Sequence, residues 1–208
     1  MWQSRNEGYT WKQINPTDTF TTYYMHSHSN DRAYLITKGK MVHFTTDGAR
    51  SWNALEYPLP PNNFNIPLMS FHPQRSDWVI WVGEADCSDP SSNSNCRAEA
   101  WLTRNNGRNW ELIESYVRQC SWARDNELKI DEALILCESY RDKEGNQAAV
   151  GYTSPLELVI GGNFFAKGGR KRLFEQVVGF ATFSEYLLVA EVRRALETCG
   201  MDTNDLIE

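Results

Sequence analysis

Apolar residues in this chain come in short runs bounded by polar, Gly or Pro positions. Ala33-Tyr34-Leu35-Ile36-Thr37 and Lys40-Met41-Val42-His43-Phe44 flank Gly39 and predict a strand pair. Leu59-Pro60-Pro61-Asn62-Asn63 is a turn-rich connection, after which Leu68-Met69-Ser70-Phe71-His72-Pro73 opens a new unit. Asp77-Trp78-Val79-Ile80-Trp81-Val82-Gly83 is nearly continuous in aromatic and β-branched residues, the mark of a strand buried on both faces. Further strands are predicted at Ala98–Thr103, Ser121–Ala123, Ala133–Cys137 and Ala148–Thr153. Phe180–Phe183 and Tyr186–Val192 then start another unit. Few segments carry a helical period, so the chain reads as all-β.

Between strands one pattern occurs three times. Ser4-x-Asn6-x-Gly8-x-x-Trp11, Thr45-x-Asp47-Gly48-x-x-x-Trp52 and Thr103-x-Asn105-x-Gly107-x-x-Trp110 each put a hydroxyl residue at the end of a strand. An Asp or Asn follows two positions later, where it can bond the backbone of its own turn; a Gly permits positive φ; a Trp then anchors the next strand. This is the Asp-box, a hairpin turn of certain β-propellers. The second copy has its Gly one place early, which leaves its turn geometry open. A degenerate fourth turn is expected across 153–165. Trp52 stands 41 positions after Trp11 and Trp110 58 after Trp52, roughly the spacing of four-stranded blades with one insertion. About four blades' worth of chain is present, and a blade cannot bury its faces alone.

Composition narrows the class. Eight Trp, nine Tyr and nine Phe supply a large apolar core, and the net charge of −6 argues against a nucleic-acid surface. The basic run Lys167-Gly-Gly-Arg170-Lys171-Arg172 reads as a solvated hairpin loop that escapes processing. Cys87 and Cys96 bracket a polar loop, and Cys120 and Cys137 flank two strands; both spacings suggest local disulfides and an oxidising compartment. Cys199 has no evident mate in the chain. No secretory signal opens the sequence, and no apolar run reaches the roughly 20 residues that span a bilayer. Met1-Trp2-Gln3-Ser4 resembles the last strand residues before a turn, so the chain is expected to be an internal fragment, 1–208 being a partial propeller domain.

The residues resemble one family in particular, the sortilin-type vacuolar protein sorting receptors. The features that carry this are the Asp-box series, Cys120-Ser-Trp122 with Cys137, Phe71-His72-Pro73 leading into Asp77-Trp78, and Phe174-Glu175-Gln176-Val177-Val178-Gly179-Phe180 before the Tyr186 strand. The resemblance covers residues 1 to 192. It implies a section of a luminal ten-bladed β-propeller in a single-pass membrane receptor of the trans-Golgi network and late endosome. The membrane would be met only through C-terminal parts outside this chain. Its partner would be soluble vacuolar hydrolase cargo such as carboxypeptidase Y, with no nucleic acid, no cofactor and no enzymatic activity.

Asp-box propellers also include sialidases, the main alternative. Their Phe-Arg-Ile-Pro motif has an echo in Phe64-Asn65-Ile66-Pro67, but Asn65 stands where the substrate-gripping Arg belongs. Glu84, Asp86, Asp89, Asp131 and Glu132 show no spacing that selects a hydrolytic pair. His26-Ser27-His28 has the i, i+2 geometry of a metal site but lacks a nameable third ligand. Tunnel-facing candidates are Trp78–Val82 and Ser184, Glu185 and Tyr186. His26, His28, His43 and Glu185 are the groups that could couple cargo release to acidification.

Overall fold

A computed structural model describes residues 1–14, 17–87, 96–123, 132–140, 156–165, 169–183 and 186–191. β1 (Trp2–Gln3) and β2 (Lys12–Gln13) form a two-stranded hairpin. β3 (Phe20–Met25), β4 (Ala33–Thr37), β5 (Met41–Thr45) and β6 (Asn53–Glu56) make a four-stranded antiparallel meander. β7 (Met69–Phe71), β8 (Val79–Ala85), β9 (Arg97–Thr103) and β10 (Glu111–Ser115) repeat it. A third sheet runs β11 (Val117–Trp122), β12 (Ile135–Tyr140), β13 (Leu156–Gly161), β14 (Arg170–Phe183) and β15 (Tyr186–Glu191). Successive meanders of this kind are a β-propeller fragment.

The sheets are held face to face, and β8 shows why. Its side chains alternate between the two faces, as a strand's must. Val79 and Trp81 pack with Tyr34, Ile36, Val42 and Tyr57 of the preceding unit. Ile80 and Val82 pack with Val117, Trp122, Ile135 and Cys137 of the following one. All four β8 residues are buried, each contributing about 1.5–3 kcal/mol of transfer free energy. At the end of the run a Cβ on Gly83 would meet Leu59 Cβ at 2.5 Å and the Pro60 carbonyl at 2.7 Å, so only Gly lets the Leu59–Pro61 connection lie across the strand.

The three Asp-box turns share one hydrogen-bond plan. The first hydroxyl, Ser4, Thr45 or Thr103, accepts from the N–H four positions on, at Gly8 (2.8 Å), Ala49 (2.9 Å) and Gly107 (2.8 Å). The Asn6, Asp47 or Asn105 side chain accepts from the N–H four positions beyond itself, at Thr10 (2.8 Å), Ser51 (2.9 Å) and Asn109 (2.9 Å). Positive φ falls on the same two positions each time: Glu7 and Gly8, Gly48 and Ala49, Asn106 and Gly107. The second copy thus keeps the geometry despite its shifted Gly, because either of the two left-handed positions can hold the Gly. The complete units add a clamp: Gly48 and Asn106 each donate an N–H, both at 2.9 Å, to the carbonyl of Asp31 or Asp77, two residues before the second strand of the sheet.

Trp110 packs on Tyr57 with ring centroids 4.7 Å apart, joining its turn to the preceding sheet. Trp11 is not an anchor of this kind; it is 60% exposed. The expected turn across 153–165 is displaced: Leu156–Gly161 is the strand β13, and the turn follows at Asn163–Phe165, where all three residues have positive φ. Residues 141–155 lie outside the described residues.

Nor are Arg170, Lys171 and Arg172 a solvated loop. They lie in β14, where Arg170 Nε donates to Glu114 at 2.9 Å and Arg172 Nη1 to Glu157 at 3.1 Å. Both carboxylates are buried, so the arginines serve as their counter-charges. Lys167 is outside the described residues. β14 breaks at Gln176, whose φ is 55°. Residues before the break pair with β13, Val177 just after it pairs with both β13 and β15, and those beyond pair with β15. Phe180 and Val189 of this last hairpin pack against the cluster of Leu136, Leu156, Leu158 and Val177. Although expected to start a separate unit, the hairpin is hydrogen-bonded into the third sheet through Leu156 and Val177.

Beneath that hairpin lies Glu138, fully buried, with neither carboxylate oxygen in a hydrogen bond of good geometry and Arg118 at 3.7 Å. Burial raises its pKa, partly offset by the Arg118 charge. A raised carboxylate pKa means that ionisation costs the folded state free energy at neutral pH, a cost that disappears as the pH falls through the carboxylate range. Glu138→Gln is therefore expected to raise the thermal midpoint at pH 7, with the gain shrinking on acidification; a lower midpoint at neutral pH would contradict this. In the second Asp-box, Ala49→Gly relieves a left-handed alanine and should stabilise by about 0.5 kcal/mol, whereas Gly48→Val should cost more than about 1 kcal/mol. Urea denaturation reads both.

Candidate functional site

β3, β7 and β11 each begin a sheet and each lie at its edge. The three edges converge on an open groove of about 490 Å³. Tyr24 and Met25 of β3, Met69 and Phe71 of β7, and Trp122 of β11 supply its apolar lining, and His28 stands beside them. Among the described residues no carboxylate, lysine or arginine lines it. Met25 is 59% exposed, a flexible and polarisable side chain at the rim. The Leu68 N–H donates to Tyr24 Oη at 3.4 Å, a contact from the second full sheet to the first. On the other side Cys120 and Cys137, directly paired across β11 and β12, are joined by a disulfide that fixes the β11 edge. A second disulfide links Cys87 and Cys96. Cys199 is outside the described residues.

Behind the groove's lining, two histidines in equivalent places pack against its aromatic residues, His26 on Phe71 and His72 on Trp122. His26 follows β3 and His72 follows β7, and each imidazole Nδ1 accepts an N–H two residues on, from His28 (3.1 Å) and Gln74 (3.1 Å). Each also donates its own backbone N–H across the turn, to the carbonyl of Arg32 or Trp78. These side chains close turns. His72 additionally accepts from the Arg75 N–H, and its Nε2 lies 3.0 Å from the Glu132 carbonyl, tying the second full sheet to the third between the rings of Trp78 and Trp122. His26 stacks on Phe71 with centroids 4.4 Å apart. Burial, then the charges of Arg32 and His28, lower its pKa to about 4. His26 is therefore neutral in the folded protein at late-endosomal pH, which removes it as a group that gains charge to release a ligand. His43 is held by Asp18 on β5, within another cleft.

The other sequence candidates separate. Trp78–Val82 do not face the groove: Val79–Val82 sit in β8, a central strand, and are spent on packing between sheets. The edge position belongs to Met69–Phe71, the first strand after the connection. Ser184 and Glu185 are outside the described residues. Tyr186 begins β15 and is exposed there. The side chains of Ser4, Asn6, Thr45, Asp47, Thr103 and Asn105 are engaged within their own turns, and in the two full sheets those turns join the third and fourth strands, away from the groove edge. The residues not anticipated, Tyr24, Met25, Met69 and Trp122, share one sequence signal: each lies in the first strand of its sheet.

Little resembles a hydrolytic centre. Asn65 has φ 58° in the turn between sheets, with Phe64 and Ile66 packed on the core. Glu84 accepts from Asn63, Asp86 pairs with Arg97, and Glu132 pairs with Arg75. Asp89 and Asp131 are outside the described residues. Among the described residues no three His, Cys, Asp or Glu side chains are grouped to hold a metal.

The family model described as sortilin, neurotensin receptor 3, matches residues 1–202. Vacuolar protein sorting/targeting protein 10 of Laccaria bicolor is 49% identical over 200 residues, covering 95% of this chain and 13% of that protein. The protein of the same name from Mycosarcoma maydis is 48% identical over 198 residues, covering 92% and 13%. That of Aspergillus terreus is 34% identical over 188 residues, covering 90% and 12%. Among solved structures, YCF48 from Cyanidioschyzon merolae aligns over 77% of this chain and 38% of its own with a TM-score of 0.42 and 12% identity. The chain thus spans about one eighth of the length of its curated relatives, whose names describe sorting and not catalysis. With the whole of its described fold inside the matched span, the chain belongs to the Sortilin-Vps10 family.

Proposed function

We propose that this chain is a cargo-binding section of a single-pass sorting receptor. It would take soluble vacuolar hydrolases such as carboxypeptidase Y from the trans-Golgi network to the late endosome and vacuole. The observation that carries the reading is the groove where three sheet edges meet. Unpaired edge strands offer backbone N–H and C=O groups to an extended peptide, and Met25, Met69, Phe71 and Trp122 offer it apolar contact. The vacuolar sorting names of the relatives and the two disulfides support a receptor of the secretory and vacuolar pathway. Ser184, Glu185 and Tyr186 are a second candidate contact.

Acid acts behind the groove, through His26 under Phe71, without charging it. Its folded pKa of about 4 lies below the ordinary 6.5, so the unfolded chain takes the proton first as the pH falls. The stability that a neutral His26 contributes is complete above about pH 6.5 and declines toward pH 4. At pH 5.5 the loss is about 1 kcal/mol. His26→Asn, which keeps an acceptor for the His28 N–H, should abolish that part of the difference between denaturation curves at pH 7 and pH 5.5. Equal pH sensitivity in both proteins would contradict the assignment.

Docking itself is tested with Met25→Asp in the receptor ectodomain carrying this chain, assayed by surface plasmon resonance against carboxypeptidase Y. A buried charge opposite an apolar peptide should weaken binding about tenfold or more. Unchanged affinity would move cargo recognition away from the groove.

A further inference from the structure

A second cleft, of about 680 Å³, lies between the β1–β2 hairpin and the β3–β6 sheet. The hairpin is fastened across it at one point: Gln3 Nε2 and Arg5 Nη2 both donate to the Ala49 carbonyl, at 2.9 and 2.7 Å. Arg5, Lys12 and Arg50 line the opening, and Trp11 and Trp52 provide indole walls. Buried Ile14 and His43 also line it. The chain as a whole carries a net charge of −6, so this is a local reversal of sign.

The positive charge is not neutralised from within. Among the described residues the side chains of Lys12 and Arg50 take part in no ion pair or hydrogen bond, and Arg5 is held by a neutral carbonyl. Among the described residues no carboxylate lines the cleft, and two from adjoining segments, Asp18 and Asp47, are otherwise engaged. Asp18 holds His43. Asp47 accepts from the Thr45 hydroxyl and from both the N–H and hydroxyl of Ser51, bonds that keep its carboxyl well below the usual range and commit it to its turn. Three cations with unspent charge, set beside an indole that is more exposed than buried, match an anionic ligand that also carries apolar surface. The cleft is open and large, unsuited to enclosing a small ion.

We propose that this cleft binds an acidic, extended peptide segment of a protein partner, with its carboxylates on Arg5, Lys12 and Arg50 and an apolar side chain on Trp11. This does not depend on the uncharged groove at β3, β7 and β11; the two surfaces select opposite features of a polypeptide. Salt should weaken binding here and leave the apolar groove nearly unaffected.

The test is fluorescence anisotropy on the receptor ectodomain carrying this chain, with a labelled peptide of alternating Glu and Ala around one central Phe. The same peptide with Gln for every Glu is the control. The expected result is binding of the Glu peptide only, weakened about tenfold between low and physiological salt. Lys12→Glu combined with Arg50→Glu should reduce it by a further factor of about ten or more. Both positions are exposed, and circular dichroism confirms that the fold is kept. Met25→Asp, which disrupts the other groove, should bind the Glu peptide as the unaltered protein does, so failure at one surface is distinguishable from failure at the other. Equal binding of the Gln peptide, no binding of the Glu peptide, or indifference to the double charge reversal would each overturn the proposal.

Discussion

Everything in this molecule depends on a middle sheet that is apolar on both faces. A strand such as β8, with Val79 and Trp81 on one side and Ile80 and Val82 on the other, has no solvent face to offer. It is stable only between two other sheets. The stacking of meanders follows from that requirement, and so does the position of everything polar. Turns, edges and the ends of strands are the places left for chemistry, and both clefts are made there.

Packing also explains how buried charge is managed. Glu114 and Glu157 enter the interior and each meets an arginine from β14. The Glu157–Arg172 pair joins consecutive strands, whereas Glu114–Arg170 spans 56 positions and records that β10 and β14 meet in space. Glu138 is the exception, a buried carboxylate facing Arg118 at a longer range, placed where the β14–β15 hairpin folds over the third sheet. An interior charge that is poorly satisfied marks a contact whose strength changes with protonation.

Legibility from sequence tracks the range of the interactions involved. The Asp-boxes were readable because their bonds run between residues two and four apart, and the local disulfides because short loops join them. Strand positions were readable wherever alternation or β-branching was strong, as at Ala33–Thr37. The roles of Arg170 and Arg172 were not, since nothing in Lys167–Arg172 announces buried glutamates 15 and 56 positions away. The order of strands within a sheet defeated the assignment of Trp78–Val82, because hydrophobicity identifies a central strand and the groove belongs to an edge. The i, i+2 spacing of His26 and His28 fits a two-ligand pair without a third, and the bond from the His28 N–H to the His26 ring makes that spacing a turn. The same turn recurs at His72, where the following residues carry no second histidine to signal it.

The third Asp-box contains Asn106 followed by Gly107, a pair that in a loose chain ages quickly, because an unhindered glycine nitrogen attacks the asparagine amide to form a cyclic imide. Here that nitrogen donates to the Thr103 hydroxyl at 2.8 Å. The asparagine amide oxygen meanwhile accepts from Tyr34 at 3.1 Å and Arg32 at 3.4 Å on the neighbouring sheet. The turn that shapes the blade also withholds both reactants from one another. Its hydrogen bonds thereby set a chemical lifetime for the protein: the asparagine lasts as long as the two sheets remain together, and a molecule that opens at this seam begins to carry a permanent mark of having done so.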